Sequence, residues 1–323
     1  MIDGPVIIGG FGGSGSSAAV DLLREVEGFH SIIPELRFIT DPDGILSLET
    51  ALGTNWSPYQ SDRAIKRFIT LVWKLSRKGG FPYANQDFNR SICPSFRRLS
   101  LEYARSLVGT EYSGMWVGIN DPFSLFFRKA AKVLKGTSPY GKKIFLSRSP
   151  SNEFIPLTKA YLKELLGEAA QGKRAILDEG YASLFPSRVL ALFDNARMII
   201  ISRDPRDTYA NAVKYSYAFA PRDVKGFIFW FRSLMEKSNQ ETDSEVLLRI
   251  RFEELVLDYE TQRSRILAFL RVPETAHSSP RSFFDPAVSK KNIGLWRSHP
   301  DVDAMTRIGE ELNQYCWEGS DHA

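Results

Sequence analysis

The 323 residues carry 42 Lys+Arg against 38 Asp+Glu, with 43% hydrophobic residues, 12% aromatics and two cysteines. That composition excludes a disordered chain, a collagen-like repeat and a disulfide-stapled scaffold, and at this length one large α/β domain with an insertion is expected. A net charge of +4, with no Lys/Arg run longer than two, gives no bulk attraction for nucleic acid.

Cys93 and Cys316 lie too far apart for a metal pair or a disulfide framework, so two buried thiols in a reducing compartment are expected. The opening Met-Ile-Asp-Gly-Pro lacks a basic leader, and nothing approaches 18 consecutive apolar residues. No membrane span and a cytoplasmic location are therefore expected.

In chain order, short apolar runs stand at Pro5–Gly10, His30–Ile33, Lys143–Leu146, Ala175–Leu177 and Arg197–Ser202, each followed by a helical pattern. Apolar strands alternating with helices predict an α/β fold whose central parallel sheet is covered on both faces. A further strand is predicted at Glu245–Ile250. Residues 41 to 140 read as a mostly helical insertion rich in aromatics, among them Trp56, Tyr59, Trp73, Phe81, Tyr83, Phe88 and Trp116. These are either core between helices or a layer that stacks on an acceptor. Later, Tyr259–Phe269 reads as an amphipathic helix, Pro273–Lys291 as a loop and Val302–Cys316 as a last helix.

The first strand runs into Gly10-Phe11-Gly12-Gly13-Ser14-Gly15-Ser16-Ser17, with a helix expected from about Ala18 to Val26. A Gly/Ser loop between a buried strand and a helix gathers backbone N–H groups and the positive end of the helix dipole, which favours an anion. Three readings compete. As a phosphate loop of the GxxxxGK type it has Ser16 where the lysine belongs. As a dinucleotide fingerprint it has Gly10, Gly12 and Gly15 in place, with Glu35 20 residues after Gly15 as a ribose-binding acid. As a phosphosulfate loop it offers Gly13, Ser14, Gly15, Ser16 and Ser17.

The second signal is Arg197–Val213, RMIIISRDPRDTYANAV. Arg203 emerges where a buried strand ends, at the edge on which open α/β sheets bind ligands. A guanidinium fork there suits a phosphate monoester. Asn211 follows eight residues later, in a helix expected to start near Pro205.

With Arg203-Asp204-Pro205-Arg206-Asp207 the chain resembles the sulfotransferases that use 3′-phosphoadenosine 5′-phosphosulfate (PAPS), the tyrosyl-protein and bacterial carbohydrate branches in particular. Arg251-Phe252-Glu253-Glu254-Leu255-Val256 is similar to the family's Y-E-x-L-V segment. Ser289 to Arg297 is similar to its C-terminal nucleotide-clamping loop.

The resemblance implies one P-loop-like three-layer α/β/α domain over residues 1–323, with the insertion at about 41–140 and a clamping segment at about 273–323. It implies that Gly12 to Ser17 grip the 5′-phosphosulfate. Arg203, Asn211 and Phe252, with Lys290, Lys291, Asn292 and Arg297, would hold the rest of the donor. No metal is implied, and the acceptor would be a hydroxyl, expected on a glycan or glycoconjugate.

Three positions depart from the family pattern. Gly13 stands where the family has a loop Lys or Arg, Asn211 replaces Ser and Phe252 replaces Tyr. Losing the loop cation removes charge where it develops in the transition state, which Arg37, Lys290, Lys291 or Arg297 would have to replace. Pro34-Glu35-Leu36-Arg37 is similar to the E-x-R of the tyrosyl-protein branch, which implies Glu35 as general base with Arg37 beside it. His30 is the alternative base, and His277, His299 and His322 are expected in solvent. Asp178-Glu179 ends another strand and is a candidate for acceptor binding or for supporting Arg203. A PAPS-dependent sulfotransferase is thus weighed against an NAD(P)-dependent oxidoreductase and against a catalytically weak PAPS- or PAP-binding protein.

Overall fold

The computed structural model describes residues 4–78, 87–114, 116, 142–148, 152–216 and 220–319. The chain forms two compact units, Met1–Leu36 with Leu166–Ala323, and Arg37–Leu165.

The first unit is built on five parallel strands, β1 (Val6–Gly9), β2 (Phe29–Ile32), β5 (Arg174–Asp178), β6 (Arg197–Ser202) and β7 (Leu247–Arg251), in the order β2-β5-β1-β6-β7. Their runs are apolar because both faces are covered: Val6, Ile7 and Ile8 of β1 and Met198 and Ile199 of β6 are fully buried. Helix Ser16–Arg24 lays Ala18, Ala19, Leu22 and Leu23 against the sheet, in one cluster with Phe252, Leu255, Ile266 and Leu267. Each such leucine contributes roughly 1.5–3 kcal/mol by leaving water. Another cluster gathers Phe11 and Tyr209 with Phe227 and Phe231 of helix Val224–Ser238 and Met305 and Ile308 of helix Val302–Glu311.

The central strands place the site. From β1 the chain crosses to β2 on one side, and from β6 it crosses to β7 on the other. The crevice at the carboxyl ends of β1 and β6 is therefore the switch point where open α/β sheets bind ligands.

The second unit holds helices Ile45–Leu52, Pro58–Leu75 and Phe96–Ser106 and an antiparallel pair, β3 (Thr110–Gly114) with β4 (Lys142–Leu146). Lys143–Leu146, expected in the parallel sheet, is thus part of a separate hairpin-like ladder. Its pattern fits, since Ile144 is buried while Lys143 is exposed. Asp62, buried on helix Pro58–Leu75, accepts the Phe145 amide at 2.9 Å and the Trp116 indole at 2.8 Å.

Phe38, Phe88 and Phe96 are fully buried together, and Tyr103 stacks on Tyr161 with 4.6 Å between ring centres. The Trp56 indole donates to Ser147 at 3.2 Å. Of the aromatics offered for stacking on an acceptor, Phe88 lies in this core and Trp56 and Trp116 are held by their indole hydrogen bonds, whereas Trp73 is exposed; Phe81 and Tyr83 lie outside the described residues.

Other elements shift slightly from expectation. The first helix begins at Ser16, the last ends at Glu311 before a 3-10 turn Asn313–Tyr315, and the loop after Pro273 contains short turns at Glu274–Ala276, Pro286–Ser289 and Lys290–Asn292. Among the described residues no helix is long and apolar enough to cross a membrane, and Cys93 and Cys316 are free thiols.

Candidate active site at the β1 and β6 carboxyl ends

After β1 the loop turns through Gly10, Gly13 and Gly15, whose φ values are 142°, 87° and 88°. Gly15 is the N-cap of helix Ser16–Arg24 and no side chain caps it. The first-turn amides therefore face the crevice without a competing side chain. A Cβ on Gly15 would lie 2.4 Å from Phe252 Cδ2, so glycine is required both by conformation and by the ring packed on it. Ser14 is buried, and among the described residues its Oγ has no hydrogen-bond partner. Gly13 also departs from ordinary φ, with Thr208 Cγ2 3.3 Å from a Cβ built there. A lysine at this position would be strained, so restoring the family's loop cation in place is not a simple substitution.

Arg203 leaves β6 and is buried, 5% exposed. Its Nη1 donates to the Gly13 carbonyl at 3.1 Å, its Nη2 donates to the Asn292 carbonyl, and its guanidinium lies 5.1 Å from the Phe252 ring centre. One side chain thus ties the glycine loop to the C-terminal segment.

The rest of the Arg-Asp-Pro-Arg-Asp block is scaffolding. Asp204 caps helix Pro205–Lys214, pairs with Arg206 and accepts the Trp317 amide at 3.0 Å. The Glu253 carboxylate accepts the Asp204 amide at 2.7 Å. Arg206 packs 4.0 Å from the Trp296 ring centre. Asp207 accepts the Gly294 and Trp296 amides at 2.7 and 3.1 Å, so it fixes the 294–296 turn. Burial pushes the Asp207 carboxyl up, while those amides and Arg203 oppose the shift.

Asn211 is half-buried, one turn beyond Asp207 on the same helix face. Lys290, Lys291 and Arg297 are exposed, and Asn292 is half-buried.

At the end of β5, burial pushes the Asp178 carboxyl up to about 6, and the nearby Glu35 carboxylate adds to the shift while a hydrogen bond from Ser16 opposes it. Glu35 is exposed and electrostatically coupled to Asp178. Glu179 is buried and accepts the Leu36 amide at 2.6 Å, which anchors the segment carrying Glu35. Arg37 donates to Asp41 at 2.9 Å. His30 lies within β2, level with Ala175 and three residues short of Asp178 at the carboxyl edge.

With a folded Asp178 value near 6 against an ordinary 3.8, the native state holds the proton more tightly than the unfolded chain. Stability therefore falls as pH rises between those values, and the full penalty is present above the upper one. Asp178→Asn is expected to stabilise the protein by on the order of 1–3 kcal/mol near pH 7.5 and by little near pH 3.5, read by urea unfolding. A variant less stable than wild type at the higher pH contradicts this.

Sequence reading missed a buried hub on the opposite end of the loop helix. Glu25 and His277, the histidine having been expected in solvent, are both fully buried at their side chains and meet at 2.8 Å. Glu25 also accepts the amides of Arg281, Phe283 and Phe284 at 3.1, 2.8 and 2.7 Å. One carboxylate thereby fastens the stretch that leads into the Lys290–Asn292 turn. Only the polar character of Glu25 at the end of an apolar helix pattern hinted at this. Glu25→Ala is expected to cost about 3–5 kcal/mol in chemical unfolding, because several buried donors lose their acceptor together. A loss under about 1 kcal/mol would show that water replaces the carboxylate.

A glycine loop, a helix N-terminus and a buried arginine converge at one switch point, which defines an α/β protein suited to an anionic, phosphate-bearing ligand. The chain belongs to the sulfotransferase family, whose model matches residues 5–276. That membership sets aside the nicotinamide-enzyme and GxxxxGK readings of the loop.

No curated protein matches the chain. Among solved structures it is similar to the sulfotransferase domain of the Synechococcus PCC 7002 olefin synthase, with 16% identity, 97% of this chain and 96% of that one covered, and a TM-score of 0.47. It is also similar to the sulfotransferase domain from the curacin biosynthetic pathway, at 14% identity, 97% and 98% coverage and a TM-score of 0.46. A sulfotransferase from Mycobacterium avium matches at 14% identity, 97% and 77% coverage and a TM-score of 0.42.

Proposed function

We propose that the protein transfers a sulfuryl group from PAPS to a hydroxyl of an acceptor, and that the glycine loop and Arg203 hold the donor. The observation that carries this reading is Arg203, buried at the end of β6 and bonded to both the loop and Asn292. The fit is chemical: the amides at the loop's junction with its helix and the buried Ser14 hydroxyl suit the phosphosulfate, and a positioned guanidinium suits the 3′-phosphate.

In the reaction an acceptor oxygen forms the new S–O bond as the S–O bond to the 5′-phosphate breaks, and the electron pair leaves on that phosphate. The acceptor proton goes to a carboxylate. Glu35 is the proposed base, with Asp178 coupled to it through their mutual repulsion. Charge on the leaving phosphate is met by the loop amides and by Lys290 or Lys291, since Gly13 brings none.

The acceptor is proposed as a hydroxylated molecule, a glycan or glycoconjugate in the first instance. That proposal stands without support from Trp56, Phe88 and Trp116, which are engaged within the second unit. Thermal-shift titration with PAP, NAD and ATP tests the donor, because ligands that bind only the native state raise apparent stability. PAP is expected to give the large shift, and a shift with NAD alone overturns the proposal.

A further inference from the structure

The two units differ sharply in charge. Residues 37–165 hold 20 Lys+Arg and 10 Asp+Glu, whereas the remainder holds 22 and 28. The slight overall excess of positive charge therefore conceals a strongly cationic second unit.

Part of that charge is gathered in one place. Lys74, Arg77 and Lys78 follow one another at the carboxyl end of helix Pro58–Leu75, Arg90 stands in the short helix Phe88–Ser91, and Arg97 in the first turn of helix Phe96–Ser106. Cross-links bring the segments together: the Asn89 amide donates to the Ser76 carbonyl at 2.7 Å, and the Arg97 amide donates to Asn89 Oδ1 at 3.1 Å. The Arg97 guanidinium lies 4.9 Å from the ring centre of Trp73, which is 44% exposed.

Several other cations of the unit are paired: Lys66 with Asp62, Arg98 with Glu102, Lys143 with Glu111 and Arg148 with Glu153. Among the described residues no carboxylate pairs with the five of this cluster.

We propose that this surface docks a water-soluble polyanionic chain, an acidic polysaccharide whose carboxylates or sulfates meet the cations. Cations left without acidic partners lower their energy by meeting a polyanion and releasing its counterions. Two features favour a soluble chain over a membrane or a nucleic acid. Trp73 and Tyr112 are the exposed large apolar side chains described in this unit, so the described residues offer no apolar patch to enter a bilayer. The Trp73 face is already covered by Arg97, so it offers no open platform for stacking bases.

The test uses the whole protein and the variant Arg77→Gln/Lys78→Gln/Arg90→Gln, three exposed positions outside the donor site. Calorimetric titration with polygalacturonate at about 50 mM salt is expected to show saturable binding, weakened at least about tenfold in the variant and by added salt. PAP affinity and the circular dichroism spectrum are expected to stay at wild-type values.

Neutral dextran, phosphatidylglycerol vesicles and duplex DNA complete the panel. Absent polygalacturonate binding, equal binding by the variant, or tighter binding to vesicles or DNA overturns the proposal. Failure of the donor reading shows separately, as Arg203→Ala retaining wild-type PAP affinity.

Discussion

Arg203→Ala is expected to weaken PAP binding by about 1.5–3 kcal/mol, roughly 10- to 150-fold. The size follows from how the side chain is held. It is nearly inaccessible, it donates to the Gly13 carbonyl at 3.1 Å, and it sits 5.1 Å from the Phe252 ring centre. Little conformational freedom is then left to lose on meeting a phosphate, so most of the charge-assisted bonding is realised as affinity. Arg203→Lys is expected to recover only part of it, because a point charge does not reproduce the planar fork. Adenosine 5′-phosphosulfate, which lacks the 3′-phosphate, is expected to bind wild type and Arg203→Ala alike. Since Arg203 also bonds Asn292, urea unfolding of both variants separates a lost phosphate contact from a loosened clamp. A folded Arg203→Ala with wild-type PAP affinity removes the residue from the donor site.

Glu35→Gln is expected to cut single-turnover sulfuryl transfer by roughly 10²–10⁴-fold while PAP affinity stays near wild type. The amide keeps the shape and loses the basicity. Asp178 sharpens the expectation, because the negative charge of Glu35 helps to hold the Asp178 carboxyl at about 6. Removing that charge is expected to move Asp178 down towards its ordinary range, which an NMR titration of its carboxyl carbon reads directly. The same substitution thus carries two readouts, one chemical and one electrostatic. Full transfer by Glu35→Gln would exclude it as the base and bring forward Asp178, or His30 within β2.

How much of this was legible from residues alone depends on the range of the interactions. Strands β1 and β6 were readable because two-sided burial writes itself as an uninterrupted apolar run, and the glycine loop because positive φ demands glycine. Lys143–Leu146 misled for the same reason, since four apolar-rich residues do not tell a parallel core strand from a half-exposed antiparallel one. Arg203 stood out at a strand end. The division of labour beside it did not, because Asp204, Arg206 and Asp207 serve partners 87 to 113 residues away, at Trp296, Gly294 and Trp317. Glu25 and His277 were invisible as a pair, 252 residues apart in sequence. The aromatics of the insertion carried both meanings in the sequence: Phe88 packs into the core with Phe38 and Phe96, while Trp73 is exposed.

The central claim is that the crevice between the ends of β1 and β6 receives a 3′-phosphorylated adenine nucleotide through Arg203. Calorimetric titration of the wild-type protein with PAP, with adenosine 5′-phosphate and with NAD tests it most directly. Saturable PAP binding at least about tenfold tighter than adenosine 5′-phosphate, with no saturable binding of NAD, is the predicted result. Equal affinity for the two adenosine nucleotides, or a preference for NAD, would contradict it.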